Sequence, residues 1–487
     1  MTDQKPPTRA FRRGLTPVGL ALAGILLAAP IAQAETLKDA LASTYRYNPQ
    51  IDAERARLRG TDEEVARAMS GYRPIITGTA DISRQYSKSR TTLGTDTSHT
   101  IPKGYGVTLT QPIFNGFQTT NAVRESEAFV RAGRETLRAV EHQVMLDAVT
   151  AYMDVIRDQA IVKLRENNVN VLARELKAVQ DRFAVGEVTR TDLAQSQARR
   201  ALAVSSLDAA RAALKTSRAS FERIVGHPPT NLVEPGPNAP GLPGTLEEAV
   251  SAASQENPNN IAALYREQAA RSTVDRIRGE LLPQVNLQAD YDRVYDARDG
   301  LDSRDDSASV TGRVTVPIYE GGETRARIRQ AKEQHVALLQ EIEQFRTETQ
   351  SIVTSVYAQM LAARAQRLSD QAQVDANRTA LAGVREEEKV GQRTLLDVLN
   401  AELELLNAEV SLVTTRRNLV VLSYNVIASI GRLDALATGA VSDIYDPEVH
   451  YKDVRREAFS TTITHGDGAL APSRDGWSTD VSREPSK

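Results

Sequence analysis

Val185-Gly186-Glu187-Val188-Thr189-Arg190-Thr191-Asp192 is a short reversal between two runs of helix-forming sequence. Before it, Phe117 to Val185 holds 69 residues with no Pro and a single Gly, Gly133. After it, Glu187 to Val225 holds 39 residues with neither, and Gly226 ends the run. At about 1.5 Å per residue the first helix is on the order of 100 Å long, about three times the hydrocarbon core of a bilayer. A lone Gly between such runs suits a left-handed cap and a tight reversal. The stretch reads as a hairpin of one very long helix and one shorter one.

The same pattern returns 205 residues later, at Val390-Gly391-Gln392-Arg393-Thr394-Leu395-Leu396-Asp397. Tyr152 matches Tyr357, Pro112 matches Pro317, and Gly226 matches Gly431 in that register. The second shorter run, Gln392 to Ile430, is again 39 residues without Gly or Pro. Agreement over so long a register predicts an internal duplication. Residues 35–226 are the first repeat, 245–433 the second, and 227–244 a linker with six Pro. Residues 434–487 are a polar tail, expected to hold a short ordered part and then disorder.

Each repeat opens with a helix start. Thr36-Leu37-Lys38-Asp39 and Thr245-Leu246-Glu247-Glu248 place a hydroxyl three residues ahead of an acid, which satisfies free amides. Pro49 and Pro258 break these helices. Beyond Pro74 and Pro283 the period changes from 3.6 to 2. Ile76, Gly78, Ala80 and Ile82 alternate with Thr77, Thr79, Asp81 and Ser83, and the second repeat behaves alike around Val285 to Tyr291. Strands are expected at about 74–86, 104–113, 283–295 and 308–318. About 10 residues with one apolar and one polar face is the pattern of an outer-membrane β-barrel strand. The polar stretches 87–103 and 296–307 read as external loops. Tyr86, Tyr105, Tyr291 and Tyr295 suit the membrane interface. Four strands cannot close around a pore, and open edges are not tolerated in lipid, so several copies must contribute.

Residues 1–34 read as a secretory signal. Arg9, Arg12 and Arg13 precede an apolar run from Val18 to Ala29, and Ala32-Gln33-Ala34 is a small-x-small cleavage site. No apolar run of 18 residues follows, so no transmembrane helix is expected. The chain has no Cys, which excludes disulfides, thiolate metal sites and a lipid anchor at a mature N-terminal Cys. The net charge of −3 gives no sign of nucleic-acid binding. The six His lack metal-ligand spacing, no Gly-rich phosphate loop is present, and no cofactor is expected. On one long helix Ile342, Phe345, Ile352, Val356, Met360 and Ala363 form a seam for a neighbouring helix.

Signal peptide, helix, two strands, long hairpin, Pro-rich linker and the same again: this order resembles the TolC family of outer-membrane channel proteins. The telling pieces are Thr110-Gln111-Pro112-Ile113-Phe114-Asn115-Gly116, Thr315-Val316-Pro317-Ile318-Tyr319-Glu320-Gly321 and the two Val-Gly tips. The resemblance implies a mainly helical chain with membrane β. It implies a homotrimer whose twelve-stranded barrel in outer-membrane lipid continues into a long helical tube in the periplasm. It implies an exit duct for type I secretion or drug efflux, with a periplasmic adaptor docking at Val185, Gly186, Val390 and Gly391. An inner-membrane ABC exporter or other pump supplies the energy.

The resemblance also implies a latch that pinches the tube past the tips, here Thr191 and Asp192 holding Arg393. Asp397 and Asn400 then line the constriction, with one acidic ring rather than two. Glu388 stands where the family has a Tyr partner for the Arg. Read without the resemblance, Asp192 is an exposed acid one turn into a helix, where it suits the macrodipole. The competing function class is a structural coiled-coil envelope protein, a spacer or adhesin without channel activity.

Overall fold

The computed structural model describes residues 34–92, 94–298, 302–436, 438–441, 444–461 and 463. The body of the expected signal peptide and the far end of the tail lie outside them.

Thr36 starts the first helix, α1 (Leu37–Tyr47), through the anticipated capping box with Asp39. Helix α2 (Pro49–Met69) follows, with Pro49 in its first turn, where a missing N–H costs nothing. Then come β1 (Ile75–Ile82), β2 (Gln85–Thr91), β3 (Gly94–Thr100) and β4 (Lys103–Asn115). The long hairpin is α3 (Gln118–Ala184) and α4 (Arg190–Val225). After the linker the order repeats: α5 (Leu246–Glu256), α6 (Pro258–Gly279), β5 (Gln284–Tyr295), β6 (Arg304–Thr315), α7 (Glu323–Lys389) and α8 (Leu395–Ile430). Helices α3 and α7 have 67 residues each, and α4 and α8 have 36 each. A last helix, α9 (Pro447–Val454), lies on α2.

Pro49 and Pro258 break the chain but not the column of helix. The Asn48 amide donates to Ile224 O at the end of α4 (2.9 Å), while its Oδ1 accepts from Gln50 N at the start of α2. Asn257 does the same between Ser429 O (2.8 Å) and Asn259 N. One side chain thus serves the unpaired carbonyls of one helix and the unpaired amides of the next. The pairs α4/α2 and α8/α6 become spliced columns of about the length of the unbroken α3 and α7.

The largest core lies where the splices are. Leu41, Met145, Tyr152, Met153, Phe221, Tyr424 and Ala435 are among its members, from α1, α3, α4, α8 and the tail. Tyr152 is fully buried, and its hydroxyl lies 2.8 Å from Glu35 O and 2.7 Å from Val233 O, tying the N-terminal segment to the linker. Tyr357 binds Gly244 O (2.9 Å) in the second half. On α7 the buried seam includes Ile342, Val353, Val356 and Met360; Ile352, expected inside, is exposed instead.

The sheet order is β1-β4-β5-β6, all antiparallel. Ile76, Leu109, Ala289 and Val310 share one row, and Thr77, Thr108, Asp290 and Ser309 share the next, so one face is apolar and the other polar. Strand β6 begins at Arg304, earlier than expected. The stretch read as a polar loop at 87–103 instead contains the ribbon β2–β3, from Gln85 to Thr100, as a separate two-stranded sheet. Sheet and helices meet at a contact of two glycines. Gly116 has φ +65°, and a Cβ there would sit 2.1 Å from Gly279 O.

Candidate functional site

The tips close as the lone glycines anticipate. Gly186 has φ +81° and Gly391 φ +79°. Glu187 N donates to Arg182 O and Gln392 N to Glu387 O, both 2.9 Å, so the last carbonyls of α3 and α7 are satisfied. Val185 and Val390 project into solvent, 72% and 70% exposed. No buried residue anchors either turn, so the fold presents two apolar knobs at one end of the molecule.

Each tip is followed by the same cap. The Asp192 Oδ2 accepts from Thr189 N (3.0 Å) and from the Thr189 hydroxyl (2.7 Å), and Asp192 N donates back to that oxygen. Asp397 and Thr394 repeat this at 3.0 and 2.8 Å. The bonds from the Thr394 amide and hydroxyl hold the Asp397 carboxyl below the usual carboxylate range. Thr189-x-x-Asp192 and Thr394-x-x-Asp397 carry the spacing seen at Thr36 and Asp39, so this role had a signal in the sequence.

Within the chain Asp192 and Arg393 are not paired with each other. Arg393 Nε binds Glu387 Oε2 (2.9 Å), reaching back across its own turn to the last turn of α7. Thr191 is exposed beside the cap. The two halves are joined near the tips by other residues. Arg182 on α3 binds Glu388 on α7 (2.8 Å), and Arg199 on α4 donates to Asn400 on α8 (2.8 Å). Nothing in periodicity or spacing marks these partners, because they come from helices 201 and 206 residues apart. Glu388, the position where the resemblance expected Tyr, thus carries a cross-half ion pair. Behind it Glu402 on α8 is buried against Arg385; burial pushes its carboxyl upward and Arg385 partly offsets that.

Among the described residues no group of His, Cys, Asp and Glu is placed to hold a metal ion, and no helix is long and apolar enough to cross a membrane.

A sheet with one apolar face, set on helices of this length in two matching hairpins, defines an outer-membrane channel fold, and the chain belongs to the outer membrane efflux protein family. The sequence model of that family matches residues 40–227 and again 249–432. The chain is 38% identical over 453 residues to the outer membrane efflux protein BepC of Brucella suis, covering 93% of this chain and 97% of that one. It is 26% identical over 303 residues to the alkaline protease secretion protein AprF of Pseudomonas aeruginosa, covering 61% and 63%. In fold it is similar to the Campylobacter jejuni CmeC outer membrane channel, with TM-score 0.73 at 15% identity over 86% of this chain and 89% of that one. The protein is an outer-membrane exit duct for efflux or type I secretion, with a large periplasmic helical part, and a conduit rather than a catalyst.

Proposed function

We propose that three copies of this chain close one duct, with a twelve-stranded barrel above and a helical tube below. The observation that carries this reading is the pair of open sheet edges. Among the described residues β1 pairs only with β4, and β6 only with β5. Bare edges of that kind cannot face lipid, and they are satisfied when β6 of one copy pairs with β1 of the next. Four strands in each of three copies give the twelve, and the duplicated order of elements gives each copy two hairpins in the tube. Strands of 12 residues span about 40 Å, or about 30 Å once tilted, which suits the bilayer.

The tips are the docking end for a periplasmic adaptor, itself joined to an inner-membrane ABC exporter or other pump. The exposed Val185 and Val390 support that role. The latch of Asp192, Thr191 and Arg393 forms between neighbouring copies when the tube is shut. The cap uses only Oδ2 of Asp192, which leaves Oδ1 for an incoming guanidinium. Arg393 and Glu387 are both about half exposed, so their bond is exchangeable. Asp397 and Asn400 then ring the constriction. Native mass measurement in detergent tests the assembly: a trimer is expected, and a monomer that conducts ions in a planar bilayer would sink it.

A further inference from the structure

The apolar face of the sheet changes character at the end farthest from the helices. Its rows run Ile76/Leu109/Ala289/Val310, then Gly78/Val107/Tyr291/Ala308. The next row on that face is Ala80/Tyr105/Arg293/Asp306, and the last is Ile82/Lys103/Tyr295/Arg304. Three cations, one acid and a group of Tyr thus stand on the side that faces lipid.

These side chains form one assembly. Arg293 Nη1 donates to the Tyr105 hydroxyl (3.0 Å) and Nη2 to the Tyr291 hydroxyl (2.9 Å), while Nε donates to Asp306. Arg304 donates to the same Asp306 carboxylate from Nη2 (2.8 Å) and Nε (3.1 Å). Asp306 therefore holds two guanidinium groups side by side. Arg293 is the sheltered anchor at 22% exposed, and Arg304 is 51% exposed. Lys103 lies in the same row as Arg304, with its ammonium 3.3 Å from Asp296 at the strand end. Three cations against Asp306 and Asp296 leave a net positive charge.

Charge on a lipid-facing surface is tolerated only at headgroup level, where Tyr also concentrates. The helices leave the opposite end of the sheet, so this level belongs to the leaflet away from the periplasm. We infer that Arg293, Arg304 and Lys103, set in place by Asp306 and the Tyr hydroxyls, bind the phosphate of a lipid headgroup in that outer leaflet, one site per copy. A planar guanidinium fork matches phosphate oxygens, and Arg304 keeps half of its surface free for them. The site rests on the reading of the sheet as membrane barrel, which it deepens by naming the lipid chemistry recognised.

The test uses the full-length protein in nanodiscs with bis-phosphorylated lipid A, with the same lipid A after enzymatic dephosphorylation, or with bis-phosphorylated lipid A and an excess of inorganic phosphate. Lys103→Gln with Arg304→Gln leaves Arg293 and Asp306 to hold the sheet. Mass measurement after transfer to detergent is expected to find about one phosphorylated lipid A per chain on the parent. The double variant should retain at least tenfold less. The dephosphorylated lipid should be lost from both, and inorganic phosphate should not compete. Equal retention by the variant, equal retention of dephosphorylated lipid, or displacement by inorganic phosphate would each overturn the site. Planar-bilayer conductance separates the two levels. If both proteins conduct, such a result removes this site alone; if neither conducts, the barrel reading falls and takes the site with it.

Discussion

The belt around Tyr152 and the tips at Gly186 and Gly391 are built from opposite materials. At the belt α1, α3, α4 and the tail bury Tyr152, Phe221 and Met153 almost completely, and the linker is bound by hydroxyls from both halves. At the tips the two halves meet through Arg182 with Glu388, Arg199 with Asn400 and a small apolar cluster of Leu172, Ala203 and Leu399, while Val185 and Val390 point into water. Apolar burial is strong and insensitive to salt, whereas half-exposed ion pairs contribute about 0–1 kcal/mol each. The belt is therefore the stronger joint between the halves and the tip contact the weaker one.

The largest effects should come from the belt. Phe221→Ala removes a fully buried ring and should cost about 3–5 kcal/mol, read as a large drop in melting temperature. Loss of less than about 1 kcal/mol would mean that the belt is not the joint that holds the halves.

The next effect is on pH dependence. Burial raises the Glu141 carboxyl from 4.5 to about 7 and lowers the neighbouring His142 from 6.5 to about 4. For Glu141 the folded state binds the proton more tightly, so its contribution to stability falls as pH rises from 4.5 to about 7. For His142 the folded state rejects the proton, so its contribution rises between about 4 and 6.5. Over the shared window the two slopes oppose, each on the order of 3 kcal/mol in total. His142→Asn should make melting temperature fall with pH, and Glu141→Gln should make it rise. Parallel curves for both variants would contradict the assignment.

The smallest effects on stability, and the largest on leakage, belong to the tips. Arg393→Ser should shift stability by less than about 1 kcal/mol yet raise resting conductance. Asp192→Ala should do the same, and the double variant should add little, because the pair is one interaction. Asp397→Asn should keep the pore closed and weaken its preference for cations. Strictly additive leakage from Asp192→Ala and Arg393→Ser would show that Asp192 acts only as the cap of Thr189.

Local signals carried most of this fold. The glycine tips, the alternating strands and the capping box at Thr36 each depend on residues within a few positions of one another; the tips and the cap sit where they were expected, and the strands overlap the expected stretches, with β1 ending and β6 beginning about four residues early. The ribbon β2–β3 escaped because stretches such as Thr95-Asp96-Thr97-Ser98 have no apolar alternation, so the periodicity marking a half-buried strand is missing. Pro49 and Pro258 looked like ends because the splice depends on carbonyls 176 and 172 residues away from Asn48 and Asn257. The tip ion pairs were hidden for the same reason. At Asp192 the cap of Thr189 was legible in spacing, while any bond to a second copy belongs to an interface that one chain's pattern does not encode.

The comparison between belt and tip presupposes a closed tube, and closure is read from the bare edges β1 and β6. The parent chain has no Cys, so introduced pairs report without background. Thr311→Cys on β6 can be combined in turn with Thr77→Cys, Thr79→Cys or Asp81→Cys on β1, and the protein oxidised in isolated outer membranes. At one register the account predicts a ladder of linked chains that stops at three. No linkage at any register, or a ladder that stops at two or runs beyond three, would contradict it.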